Sequence, residues 1–311
     1  MLSLILRFVT ENKNKKRFPE NATPPLVPSM QERRINALLR SIRRNKKAFI
    51  GSIILIVIGC VAALAPLISP YDPFEMQTGP LLQGPTLNHP MGTDIYGRDV
   101  FSRVIHGSRI SLKVGAIVLM ISLVGGLFLG LVAGYYKGVL DIIIMRVADT
   151  LFAIPTVLMA LVFATIIGPG LNTVIISLSI TYMPQYLRII RGTVLSVREK
   201  EFVEAARLSG ENSKSIIFRY IFPNSIAPVI VQSVILMSYA ILDEAALSYL
   251  GLGTQPPTPS WGLMLSEGSK YLLTSKYLTV FPAGAIVFAV LGFNLLGDSL
   301  RDILDPRYRY C

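Results

Sequence analysis

"VGAIVLMISLVGGLFLGLVAG", residues 114–134, runs for 21 positions without a charged side chain. A bilayer core of roughly 30 Å is crossed by a helix of about 20 mostly apolar residues. The stretch therefore reads as a membrane-spanning helix, and that reading sets the fold class. Gly126, Gly130 and Gly134 recur in it at every fourth position. This spacing puts three glycines on one helix face, where another backbone can come close. The approaching helix belongs either to this chain or to a second membrane subunit.

Working outward, the same pattern recurs at residues 48–68, 150–168, 171–187, 225–242 and 277–297. The third and fourth of these six segments are less apolar and carry Pro155 and Pro184. Barrel-type alternation is absent, so the expectation is an all-α polytopic membrane protein with six transmembrane helices. Composition agrees: 52% of residues are hydrophobic, 16% are charged, and mean hydropathy is +0.54. An ordinary soluble domain carries about 25% charged residues.

The net charge of +11 is unevenly placed, with 12 of the 30 Lys and Arg lying before Ala48. If the N-terminus is inside, a basic 188–222 loop and the C-terminal tail fall inside as well. That orientation collects about 24 of the 30 on one side, as the positive-inside rule requires. The expected location is the bacterial cytoplasmic (inner) membrane, multi-pass, with both termini cytoplasmic. The basic charge is then topogenic and does not point to nucleic acid. "MLSLILRFV" at the start is too short for a signal-peptide core and has no small-residue cleavage site after it, so it reads as a retained tail.

The organisation expected is a cytoplasmic tail (1–47), a first span (48–68), an external segment (69–112), a core of five spans (113–298) and a short tail (299–311). No fixed-period repeat interrupts it. Cys60 and Cys311 are too far apart in sequence for a disulfide framework, and His89 and His106 lack the partners of a zinc centre. No metal site is expected. "GENSKS" (210–215) fails as a phosphate loop, because Leu208 and Ser213 stand where that motif needs glycine. No nucleophile–base pairing appears, so no enzyme activity is expected of the chain. Asp149, Asp243, Glu244 and Asn294 are the polar groups nearest the membrane, and the span boundaries favour interfacial or capping roles for the acids.

Outside the membrane, Asp94/Arg98 and Asp99/Arg103 stand at i,i+4, so each could pair on an amphipathic surface helix. In "TQPPTPSWG" (254–262) three prolines and a glycine stiffen the loop, and Trp261 suits an interface. These stretches either cap the helix bundle or receive a binding partner.

The 188–222 loop differs from everything around it. "REKEFVEAARLSG" (198–210) is helix-favouring and polar, with Gly210 placed to stop it. "ENSKSIIFRYIFPN" (211–224) turns helical again until Pro223, which should break the pattern before the fifth span. An exposed knob with a small Ala205–Ala206 face and Glu204 beside it suits docking into a groove on another protein.

Glu204-Ala205-Ala206, three residues, Gly210, nine residues, then Tyr220-Ile221-Phe222-Pro223 resembles the EAA signature of ABC-importer membrane subunits. Tyr220 and Phe222 depart from the Ile and Leu of that pattern. "HPMGTDIYGRDVFSRVIHGSRISL" (89–112) and "LSYLGLGTQPPTPSWGLML" (247–265) resemble the external segments of peptide/nickel importer permeases, of the oligopeptide and dipeptide C type. The resemblance implies a type-I ABC importer transmembrane domain whose residues 200–212 form a coupling helix. It implies a second permease subunit (B type), two ABC ATPase subunits that use the ATP and magnesium, and an extracytoplasmic substrate-binding protein. On this reading the chain itself binds no cofactor. Asp94, Arg98, Asp99, Arg103 and Trp261 would face the binding protein. Peptides are the expected cargo; nickel or another small solute is the alternative, and an ATP-independent six-helix carrier or channel a weaker one.

Overall fold

The computed structural model describes residues 45–304. The tail before Asn45 and the last residues of the chain lie outside the described residues. Every regular element described is helical; the one β-type contact is an isolated bridge between Thr93 and Asp99.

Helix α1 (Lys46–Ala63) starts at Asn45, whose side chain accepts from the Lys47 and Ala48 amides at 3.0 and 3.3 Å. After the short α2 (Ala65–Ile68) an irregular segment leads to α3 (Val100–Tyr136). At 37 residues α3 is about 55 Å long, well beyond the hydrocarbon core. The irregular part of the segment expected to be external over 69–112 ends at Asp99, and its remaining residues form the first turns of α3.

The third span is not straight. α4 (Gly138–Ala153) and α5 (Thr156–Ile167) meet at an angle of 92°. Pro155 has no N–H to give the Leu151 carbonyl, and Ile154 before it is extended at φ −84°, ψ 122°. Proline and its predecessor both leave helical geometry here, so the helix breaks.

α6 (Leu171–Arg198) and α8 (Phe222–Tyr249) are joined by the polar loop, which contains α7 (Glu201–Leu208); α9 (Trp261–Ser269) and α10 (Tyr277–Leu304) complete the order. Among the described residues four helices are long and apolar enough to cross a membrane, or five if the bent α4–α5 pair is counted as one span. The expected fourth span falls on α6, which has the length but not the apolarity. Its hydroxyl-bearing face is sheltered: Thr173, Ser177, Ser179 and Thr181 are all buried.

α3, α6 and α8 share the main core, built on Val114, Val118, Leu178, Tyr186, Ile190 and Leu236. The three glycines of α3 face α6 of the same chain. A Cβ at Gly126 would come within 2.5 Å of the Tyr186 Cβ, at Gly130 within 2.9 Å of the Ile190 Cβ, and at Gly134 within 2.8 Å of the Val194 Cβ. Large apolar side chains such as Ile56, Phe128, Ile142, Ile166 and Phe288 point outward. Such faces need hydrocarbon or another apolar surface against them.

Candidate coupling site, clasp and cleft

α7 is a two-turn amphipathic helix standing off the end of the bundle. Val203 and Ala206 turn inward and join the buried cluster of Ile216, Ile217 and Ile221. Phe202, Ala205 and Leu208 face outward with Glu201 and Glu204, and Leu208 is 85% exposed. The two alanines therefore do not form one docking face. Neighbouring helical residues lie about 100° apart, so Ala206 packs the helix down and Ala205 is presented.

Gly210 ends α7 at φ +80°, in the left-handed region that favours glycine. Its N–H donates to the Arg207 carbonyl at 3.0 Å, and that of Glu211 to the Ala206 carbonyl at 3.1 Å. These are the two bonds of a Schellman cap. Glu211 then organises the turn by accepting from the Ser215 and Tyr220 hydroxyls, with Arg219 3.8 Å away. The Ser215 hydroxyl foremost, aided by Tyr220 and Arg219, holds the Glu211 carboxyl below the usual carboxylate range. Tyr220, which departs from the resembled signature, thus has a local partner.

The expected break at Pro223 is absent. Residues Ile216–Ile221 wind as a π-helix, and Ser213–Tyr249 run on as one helix. The Phe222 N–H reaches back to the Ile217 carbonyl. The Asn224 side-chain amide and the Ser225 hydroxyl cover the Tyr220 and Ile221 carbonyls at 2.6 and 2.9 Å. A wider turn relieves the proline ring, and side chains add bonds to the carbonyls beside it. The loop is also tied to the end of α3: Lys137 pairs with Glu199 at 3.2 Å, and Arg198 donates to the Tyr135 carbonyl.

At the opposite end of the bundle, the residues picked out by sequence form a buried clasp. Arg98 and Arg103 are each 1% exposed. Asp94 and Arg98 do pair, at 2.6 Å, but on an irregular segment and not on a surface helix. Asp99 and Arg103 do not pair. Asp99 caps α3 by accepting from the Ser102 amide and hydroxyl, each at 2.7 Å, and lies 2.9 Å from His89 Nδ1. Arg103 turns instead to Glu267 at 3.3 Å, an acid that Arg98 shares at 3.4 Å. Trp261 is buried too, donating from Nε1 to the Val104 carbonyl at 2.9 Å. All five side chains are buried, so the surface at this end of the bundle is presented by other residues. No local pattern announced Glu267, which reaches Arg103 across 164 residues.

The acids of the spans fall into distinct settings. Asp141 takes a bidentate pair with Arg191 at 2.5 and 2.7 Å, and Asp149 meets Arg188 at 2.8 Å. Asp243 and Glu244 lie inside α8, which continues to Tyr249. Glu244 is buried and held by the Ser111 and Ser248 hydroxyls, both at 2.8 Å. Asn294 accepts from the Ser238 hydroxyl at 2.7 Å. Asp243 accepts from the Tyr182 hydroxyl at 2.7 Å and borders an open cleft of roughly 550 Å³ beside the α4–α5 break.

Residues 126–310 match the family described as the binding-protein-dependent transport system inner membrane component. The chain belongs to that family. It is thus an inner-membrane, multi-pass transport permease. Residues 37–85 match the N-terminal transmembrane domain of oligopeptide transport permease C. A dipeptide transport system permease protein of Alkalihalophilus pseudofirmus is 39% identical, covering 96% of this chain and 99% of its own. A di/tripeptide permease of Pseudomonas aeruginosa is 40% identical over 87% of this chain and 91% of its own. A glutathione permease of Escherichia coli is 40% identical over 93% and 96% respectively. Among solved structures, an inward-facing methionine ABC transporter aligns at TM-score 0.55 and 16% identity, covering 66% of this chain and 98% of its own. That likeness shows the fold of an ABC-importer membrane domain.

Proposed function

We propose that this permease is the C-type membrane subunit of an ATP-driven peptide importer. The observation that carries the reading is the close similarity, over nearly the whole chain, to relatives named as dipeptide and di/tripeptide permeases. On this reading a second permease completes the pathway, two ATPase subunits sit below, and a substrate-binding protein docks above. ATP is hydrolysed by the ATPases and not by this chain. The charge asymmetry supports cytoplasmic termini and a cytoplasmic α7.

α7 then serves as the coupling helix. Its outward stripe of Phe202, Ala205 and Leu208 with Glu204 would seat in an ATPase cleft. Its inward residues fix it to the continuous helix Ser213–Tyr249. Closure of the ATPases would displace α7 as a rigid body and tilt α8, exchanging inward and outward openings. Gly210 keeps the connection compact, and the π-turn lets the helix run on past Pro223. The clasp residues support the surface that meets the binding protein.

The test is the complete transporter in proteoliposomes, carrying Glu204→Lys or Gly210→Val in this chain. Both variants should insert and fold, yet lose receptor-stimulated ATP hydrolysis and peptide uptake. Survival of both activities in both variants would remove the coupling role.

A further inference from the structure

The α4–α5 break and an acid of α8, Asp243, meet at one place. Residues 152–156 of the α4–α5 break line the same open cleft as Thr181, Tyr182, Gln185, Tyr239 and Asp243. Irregular backbone at membrane depth is tolerated only where it is buried in protein or borders a water-filled cavity. In transporters such discontinuous helices mark binding sites for charged groups.

The cleft has one strongly directional group. Asp141 and Asp149 each have an arginine, and Glu244 is enclosed by hydroxyls. Among the described residues no Lys, Arg or His lies within ion-pair distance of Asp243. Asp243 is partly exposed to the cleft, and the buried Tyr182 hydroxyl holds one carboxylate oxygen in place. α4 ends at the break and leaves carbonyls without intrahelical partners, while α5 begins there, so the two helix-end charges offset one another. The uncovered Tyr239 ring stands beside the acid and suits a cation over its face.

We infer that this cleft is a cargo-contact site in which the Asp243 carboxylate, positioned by Tyr182, receives the protonated amino terminus of a peptide. The inference rests on the peptide-importer reading and assigns the site within the membrane, separate from any receptor. A short peptide in zwitterionic form brings one cation that must leave water on the way across, and a fixed carboxylate replaces part of that hydration.

The experiment uses the complete transporter in proteoliposomes, with trialanine as probe because its amino terminus is its only cation. Asp243→Asn is expected to raise the KM for uptake by about tenfold or more, the scale of losing one charged partner. Asp243→Glu should recover most of that loss, and Tyr182→Phe should give a smaller rise than Asp243→Asn. Receptor-stimulated ATP hydrolysis should stay within about twofold of the parent in all three, since the coupling helix is untouched. An unchanged KM in Asp243→Asn overturns the inference. So does parallel loss of uptake and ATPase stimulation that Glu does not rescue, which would mark a purely structural acid. Failure of the unsubstituted transporter to import trialanine would remove the peptide reading itself, a result visible before any variant is compared.

Discussion

Gly130 of α3 lies directly beneath Ile190 of α6, so close that a methyl group on the glycine would sit 2.9 Å from both the Ile190 Cβ and the Leu187 carbonyl oxygen. The two backbones meet because one partner has no side chain. Neither neighbour can yield cheaply, since one contact is to backbone and the other to a branched Cβ.

Gly130→Leu is therefore expected to push α3 off α6 and to cost roughly 1–3 kcal/mol or more through overpacking. Thermal unfolding of the purified protein in detergent checks this. Gly59, whose added Cβ would meet nothing within 4 Å, provides the matched control as Gly59→Leu.

Glu267 neutralises two arginines that are almost wholly buried. Glu267→Gln should destabilise the clasp by about 3–5 kcal/mol, the penalty for leaving buried charge uncompensated. Asp94 remains beside both arginines and places the effect at the lower end of that range. Hydrogen exchange should accelerate over residues 89–104 while the core of α6 keeps its protection.

Leu208 is 85% exposed among the described residues, so Leu208→Asp should leave the folded protein's stability within about 0.5 kcal/mol. Co-purification with the ATPase subunits should fall sharply, because an exposed apolar side chain at a docking helix would be buried in the complex. Val203→Asp is the informative contrast, as it strikes the buried side of α7 and should unfold the loop.

Gly210→Val forces a β-branched residue into φ +80°, a cost of about 1–2 kcal/mol or more borne by the Schellman cap. Gly210→Asn should be tolerated much better, since asparagine visits this region. Stimulated ATPase rates of the two variants should separate in that order.

The depressed Glu211 carboxyl makes the loop sensitive to acid. Its folded pKa lies below the ordinary 4.5, so its contribution is fully present above that value. It is lost as pH falls through the lower folded pKa. Amide exchange over residues 209–221, corrected for intrinsic rates, should be flat from neutral pH down to about 4.5 and rise below it. Glu211→Gln should flatten that acid limb.

How much of this was legible beforehand differs by kind. The membrane helices, the polar loop and the glycine stripe could be read directly, since length, apolarity and spacing are properties of a short stretch of chain. Gly210 as a helix stop was readable for the same reason, because a cap is a local event. The bend at Pro155 had a visible proline, yet Pro184, Pro228 and Pro282 lie within continuous helices. A proline's presence in the sequence therefore did not say by itself which helix would break.

The sequence by itself thus determined that the chain is a helical membrane protein with one polar, helix-forming loop, through apolar run length and local composition. Only the tertiary structure decided who meets whom. It gave Arg103 to Glu267 and not to Asp99, because Asp99 is taken up by the α3 cap. It turned Ala206 inward and Ala205 outward, because helix pitch separates neighbours. Among the described residues it also left Asp243 without an arginine beside an open cleft, while Asp141 and Asp149 each found one. Charge partners in low dielectric are chosen by three-dimensional proximity and shelter from water, and neither quantity is written along the chain.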